Sequence, residues 1–285
     1  MIAATLLFAA TLPIHGVFVE LEHRDRIAES KANAIVIANI IGYDTGGCPR
    51  YDKFSQAAEL IQSASLDAAI YVGLVYGRDF RSDVATEEEL DRARREDVIV
   101  AKEFLAYLKE RKINRKLAGW YLAREIHNFD DSAQQERIHQ YLERVSRDLP
   151  KLGAILIAPF FVTGCSGSGT LNAKATGTMF ADLIKGTKIT HLLLQDGFSA
   201  RFDHACSWPD WKKYALTAED YEREVSKAVR KLKVKFWVDM EVFGAEATAD
   251  RIAAQYAILP DTARVIAYKY DDCRKQGMNA DVCPK

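Results

Sequence analysis

Ala118-Gly119-Trp120-Tyr121-Leu122-Ala123-Arg124-Glu125 is a short apolar run that ends on a carboxylate, and Val234-Lys235-Phe236-Trp237-Val238-Asp239-Met240-Glu241 repeats the arrangement further along the chain. Six more runs of this kind can be marked: Gly16 to Glu20, Ala34 to Ile40, Ala69 to Tyr76, Ala154 to Phe161, Thr190 to Gln195 and Ala263 to Tyr270. They are near-continuously apolar, the pattern of strands covered on both faces of a parallel sheet. Most are separated by charged segments with apolar residues at three- and four-residue spacing: Phe54 to Ser63, Thr86 to Arg111, Ser132 to Asp148, Thr217 to Lys231 and Ala247 to Ala257. Thr86-Glu87-Glu88-Glu89 has capping-box spacing, where an N-cap hydroxyl and the carboxylate three residues on each take a backbone N–H. Strand-helix alternation with eight strands predicts an α/β chain folded as a single (β/α)8 TIM barrel. A length of 285 residues suits it, since that fold usually takes about 250. A doubly wound open sheet leaves the eighth strand without a role.

In a closed parallel barrel, active sites are built where the strands end. Counted from the N-terminus, Glu125 closes the fourth run and Glu241 the seventh, so both carboxylates are expected to face one cavity. A facing pair is the minimum equipment for hydrolysing a glycosidic bond, one group donating a proton and the other acting as nucleophile or base. Either glutamate alone reads as an ordinary charge at a barrel rim.

Two-residue alternation puts Tyr121 and Ala123 on the side of Glu125, and Trp237 and Asp239 on the side of Glu241. Asn128 follows the fourth run, Gln195 and Asp196 end the sixth, and Tyr268 and Tyr270 end the eighth. A few polar groups among aromatics are what orient a stacked sugar, so these residues form the expected substrate-binding set. Asp196 reads equally as a turn former before Gly197. His127 reads as a loop residue and His15 as part of the floor. Tyr71, Tyr76 and Arg78 lie in or just after the third run.

Basic and acidic residues balance at 39 and 40, a formal net charge of -1, which provides no electrostatic footprint for nucleic acid or an anionic membrane. No apolar run reaches the roughly 18 residues of a membrane span. Residues 1–15 read either as the remnant of an export signal or as an N-terminal cap on the barrel floor, leaving 16–285 as the barrel domain. Cys48, Cys165, Cys206, Cys273 and Cys283 all fall in expected loops. Loop cysteines in a secreted or periplasmic protein point to disulfides, with Cys273–Cys283 and Cys165–Cys206 as candidate pairs and the connectivity open. There is no Cys-x-x-Cys, no His-Glu-x-x-His, no Gly-x-Ser-x-Gly elbow and no phosphate-binding loop, so no cofactor is expected. Asp196, Asp239, Glu241 and Glu125 are oxygen donors suited to a hard divalent cation, which keeps a metal-dependent hydrolase among the readings.

Gly119-Trp120-Tyr121-Leu122-Ala123-Arg124-Glu125-Ile126-His127-Asn128, Leu194-Gln195-Asp196-Gly197 and Trp237-Val238-Asp239-Met240-Glu241-Val242-Phe243 together resemble a family of bacterial glycoside-hydrolase-like barrels, domain of unknown function 4434. That family is similar to the large clan of retaining glycosidases whose acid/base ends the fourth strand and whose nucleophile ends the seventh. The resemblance implies a carbohydrate substrate, with Glu125 as acid/base and Glu241 as nucleophile. It departs at one position: the clan places Asn before its acid/base, to hold the sugar 2-hydroxyl, and this chain has Arg124. Three outcomes are open: Asn128 or Gln195 takes that duty, the sugar is anionic or unusual, or hydrolysis is lost. In the last case the chain is an inert carbohydrate-binding barrel in polysaccharide assembly. Membership alone does not decide activity, because one barrel hosts many functions.

Overall fold

The computed structural model describes residues 15–21, 32–42, 53–76, 81–163, 171–198, 211–242, 248–261 and 263–268. Their order is β1 (Gly16–Val19), β2 (Ala34–Ile37), β3 (Ile41–Gly42), α1 (Lys53–Ser63), β4 (Ala69–Gly73), β5 (Val75–Tyr76), α2 (Glu87–Glu110), β6 (Gly119–Leu122), α3 (Ser132–Asp148), β7 (Ala154–Ile157), α4 (Ala173–Ile184), β8 (His191–Gln195), α5 (Trp211–Arg230), β9 (Lys235–Glu241), α6 (Ala249–Ala257) and β10 (Arg264–Tyr268). Eight strands close into a barrel in the order β1-β10-β9-β8-β7-β6-β4-β2, and every neighbouring pair is parallel. The fold is the (β/α)8 barrel that the eight apolar runs predict.

Side chains sort by the two-residue period of each strand. Phe18, Val36, Tyr71, Tyr121, Leu156, Leu193, Trp237 and Ile266 point inward and fill the barrel. Their sequence neighbours, such as Val17, Leu122, Leu194, Val238 and Met240, point outward into a larger apolar layer shared with the helices. Trp120 is one of these, and its indole N–H donates to the Pro150 carbonyl at 2.8 Å. Continuous apolarity is thus explained, because both faces of each strand are covered.

Helix starts follow their caps. The Thr86 hydroxyl accepts from Glu89 N–H at 3.2 Å, and the Glu89 carboxylate accepts from Thr86 N–H at 2.8 Å, closing the expected capping box. Three details differ from the sequence reading. The third apolar run divides into β4 and β5, and β5 leaves the barrel to pair with β3 in a small sheet of its own. Helix α5 begins at Trp211, ahead of the acidic start expected at Thr217. Helix α4 was not expected, because Ala173-Lys174-Ala175-Thr176-Gly177-Thr178 mixes β-branched residues with glycine and has low helix propensity. Packing overrides that propensity: a Cβ at Gly177 would stand 2.6 Å from the Glu224 carbonyl oxygen, so the missing side chain lets α4 lie against α5. Residues 1–14, all five cysteines, Arg78 and Tyr270 lie outside the described residues. Among the described residues, no helix is long and apolar enough to cross a membrane.

Candidate active site

Strand β9 carries three inward groups in sequence, Trp237, Asp239 and Glu241, with Glu241 at its C-terminal end. Trp237 is buried in the barrel interior, edge-on to His191 with ring centroids 4.7 Å apart and to Tyr71 at 5.6 Å. Asp239 lies one layer above, 4% exposed and opposite Gln195 in the β8 register. Glu241 lies one layer higher, 3% exposed and opposite Tyr268 in the β10 register. Across the barrel, Tyr121 points inward from β6 and its hydroxyl feels the charge of Asp239.

Glu125 follows β6 on the inward side of the alternation and is half-buried. Its charge reaches both Tyr121 and Asp239. Burial pushes the Asp239 carboxyl well above the usual carboxylate range, and the charges of Glu241, Asp196 and Glu125 add to the effect in that order. One oxygen of Asp239, Oδ1, is buried with no hydrogen-bond partner among the described residues. Burial of this kind favours the protonated form of a carboxyl, which can donate a hydrogen bond. The Tyr121 hydroxyl is likewise held protonated, by burial first and then by Asp239, Glu125 and Tyr76.

Tyr268 closes the mouth on the β10 side, where its hydroxyl donates to Glu20 at 2.8 Å. Phe18 stands edge-on to both Tyr121 and Tyr268, with centroids 5.3 and 5.2 Å apart. Glu20, absent from the sequence-derived set, is therefore an acid at the rim. The signal was present in the alternation Gly16, Phe18, Glu20, which ends the first run on an inward carboxylate as in the fourth and seventh. Gln195 is half-buried and donates through Nε2 to the Ala158 carbonyl at 2.9 Å, while its Oε1 has no partner among the described residues.

Two expected residues, Asn128 and Asp196, face elsewhere, and so does Arg124. Asn128 is fully buried and saturated: Nδ2 donates to the carbonyls of Val162 and Leu171 and to Thr176 Oγ1 at 2.9 Å, and Oδ1 accepts from Val162 N–H at 2.6 Å. It ties the loop after β6 to the start of α4. Arg124 alternates outward and enters the helix layer, where it pairs with Glu96 at 2.9 Å and with Asp97 at 3.3 Å. Burial pushes Asp97 up, whereas Arg124, the Tyr141 hydroxyl and Val75 N–H pull it back towards the ionised form. Asp196 also alternates outward, behind β9, and accepts from Glu241 N–H at 3.1 Å. Gly197 then turns the chain at φ +71°, and a Cβ there would lie 2.6 Å from the Tyr214 hydroxyl.

His191 starts β8 at the opposite end of the barrel from the two glutamates. Burial, then the charges of Lys235 and Arg264, push it down to about 4, so it is neutral and belongs to the floor. His127 is also a packing residue, stacked on Phe160 with its Nδ1 3.2 Å from Ser82 Oγ. Because Asp196 lies behind the sheet, the four oxygen donors that would build a metal site are divided between two sides of β9. Among the described residues, no group of three or more His, Cys, Asp or Glu could hold a metal ion.

Residues 51–280 match the family model described as Domain of unknown function (DUF4434). No protein of the curated set matches the chain. Among solved structures, similar ones include xylanase B from Clostridium stercorarium F9, 10% identical with a TM-score of 0.47, covering 90% of this chain and 85% of that one. A GH18 chitinase from the chitin utilization locus of Flavobacterium johnsoniae is 9% identical with a TM-score of 0.44, covering 91% and 88%. A sugar phosphate isomerase/epimerase from Parabacteroides distasonis is 11% identical with a TM-score of 0.45, covering 96% of both chains. At these values nothing about chemistry passes from the three proteins to this one.

Proposed function

The chain belongs to the DUF4434 family, and from that membership and the acids at one barrel mouth we propose that it is a glycoside hydrolase of the retaining, two-carboxylate type acting on a polysaccharide or glycoconjugate. The observation that carries the reading is that Glu241 ends β9 and Glu125 follows the end of β6, both on the inward side of the alternation at the C-terminal end of the barrel strands, with Asp239 feeling the charge of each. Such pairs act at about 5 to 5.5 Å in retaining enzymes and at roughly 6.5 to 9.5 Å in inverting ones.

In the first step an oxygen of Glu241 bonds to the anomeric carbon while the glycosidic C–O bond breaks, and the leaving oxygen takes the proton of Glu125. In the second, water attacks the same carbon, Glu125 recovers a proton from that water, and the bond to Glu241 breaks. Asp239, whose protonated form burial favours, serves as a donor to a sugar hydroxyl, Gln195 offers Oε1 as an acceptor, and Tyr121 and Tyr268 supply hydroxyls and ring faces. Arg124, turned away from the cavity, gives no support to an anionic sugar. The 2-hydroxyl duty that the clan assigns to Asn falls to Gln195 in this reading, since Asn128 is saturated.

The test is release of reducing ends from a panel of polysaccharides by the purified protein, with Glu125→Gln and Glu241→Gln as controls. Cleavage lost by several orders of magnitude in both variants is expected. Unchanged turnover in both would remove the assignment, and binding without cleavage would leave an inert carbohydrate-binding barrel.

A further inference from the structure

Strand β8 stops two residues too soon to pair with the end of β9. Its last ladder position is Gln195 opposite Asp239, and the left-handed Gly197 then carries the chain away. The Glu241 N–H and carbonyl, which point towards β8, therefore meet side chains in place of the next β8 ladder position, where the proposed nucleophile must be held still. We propose that Asp196 is the positioning residue of Glu241, standing in for the missing strand and coupling its own proton to the ionisation of the Glu241 side chain. The inference rests on the reading of Glu241 as nucleophile.

Asp196 is 1% exposed, and its hydrogen bonds form a closed frame around one peptide. Oδ1 accepts from Glu241 N–H at 3.1 Å and from Phe198 N–H at 3.3 Å. Oδ2 accepts from Gln255 Nε2 of α6 at 2.6 Å. The same Gln255 nitrogen and an Arg251 guanidinium N–H donate to the Glu241 carbonyl at 3.2 and 3.0 Å. The Asp196 backbone is fixed in turn, its N–H donating to the Asp239 carbonyl at 3.1 Å and its carbonyl accepting from the Tyr214 hydroxyl at 2.9 Å. Both polar groups of the Glu241 peptide are thus held by side chains, and an unpaired buried peptide group is otherwise costly.

The surroundings of Asp196 are mostly acidic. The charges of Glu241 and Asp239 act on it through β9, Glu222 and Tyr214 lie near it on α5, and Arg251 of α6 directs its guanidinium to the carbonyls of Phe198 and Glu241. Burial and then the charge of Glu241 push Asp196 up to about 8, against the pull of its three hydrogen bonds. Below that pH the Asp196 carboxyl is neutral, and above it a negative charge appears behind the proposed nucleophile.

The experiment follows the side-chain carboxyl carbons of the full-length protein by NMR between pH 5 and 10, with glutamate labelled at Cδ and the Glu241 signal assigned through Glu241→Gln. A step in the Glu241 shift near pH 8 is expected in the wild-type protein. Asp196→Asn, which keeps an acceptor for the Glu241 N–H, should abolish the step. Gln255→Met, which removes one hydrogen bond to the ionised carboxylate, should move the step to higher pH by favouring the proton. An absent step in wild type, or a step that both variants leave in place, overturns the proposal, and the Gln255 variant keeps the test decisive should Asp196→Asn fail to fold. No substrate is needed, so a protein that shows the step but cleaves no glycan refutes the hydrolase reading alone. An active enzyme without the step refutes the positioning role alone.

Discussion

Replacing Glu222 should make this protein more stable, and the gain should grow with pH. Glu222 is fully buried on α5, and neither carboxyl oxygen has a hydrogen-bond partner among the described residues. Burial, followed by the charges of Asp196 and Glu219, raises it well above the usual carboxylate range. The unfolded chain releases this proton near pH 4.3, whereas the folded chain keeps it, so between those limits the folded state binds the extra proton. Stability from this group is therefore full below about pH 4 and declines as pH rises towards the folded value, by about 1.4 kcal/mol per pH unit. The decline continues at that slope for as long as the folded chain keeps the proton, and the orphaned oxygens contribute a further ~1 to 3 kcal/mol of desolvation. Glu222→Gln should remove the first part and Glu222→Met both. At ~2 to 4 °C per kcal/mol for a domain of this size, the Met variant should melt at least several degrees higher at pH 7. Urea titrations of the wild-type protein and both variants at pH 5, 6, 7 and 8 measure it. Parallel stability-pH curves for wild type and Glu222→Gln, or a Met variant less stable than wild type at pH 8, would refute the reasoning.

Arg124→Met should destabilise by about 3 to 5 kcal/mol, because it strands the fully buried Asp97 without its cation, and adding Asp97→Asn should recover much of the loss in denaturant titrations. On any polysaccharide that the protein cleaves, the first product seen by proton NMR should retain its anomeric configuration, and an inverted product would contradict the pairing of Glu125 with Glu241 as acid/base and nucleophile. Thiol titration of denatured, unreduced protein from an oxidising compartment should count fewer than five free cysteines, whereas five would count against secretion.

Much of this architecture was legible because it is written in periods. Strands covered on both faces are apolar throughout, so the eight runs stood out, and alternation assigned Tyr121, Trp237 and Asp239 to the interior from the sequence alone. The same rule, applied to the residue after Gln195, turns Asp196 outward, but the adjacent Gly197 hid whether the strand was still running. Asn128 lies beyond the last residue of β6, where no period applies, and only the loop it fastens to Val162 and Leu171 explains it. Helix α4 escaped because its evidence is tertiary: Gly177 is a poor helix former in sequence and a close-contact residue in the fold.

Arg124 carries a consequence for how relatives should be compared. Its guanidinium belongs to a buried unit with Glu96, Asp97 and Tyr141, contributed by α2 and α3. Across diverged members of the family, position 124 should therefore drift together with 96, 97 and 141, and independently of whatever ligand each member binds. A substitution tree built on the residue before Glu125 would sort these proteins by how the barrel is dressed on its outside, while the preference for substrate would be inherited along other columns, those of 20, 195, 239 and 268.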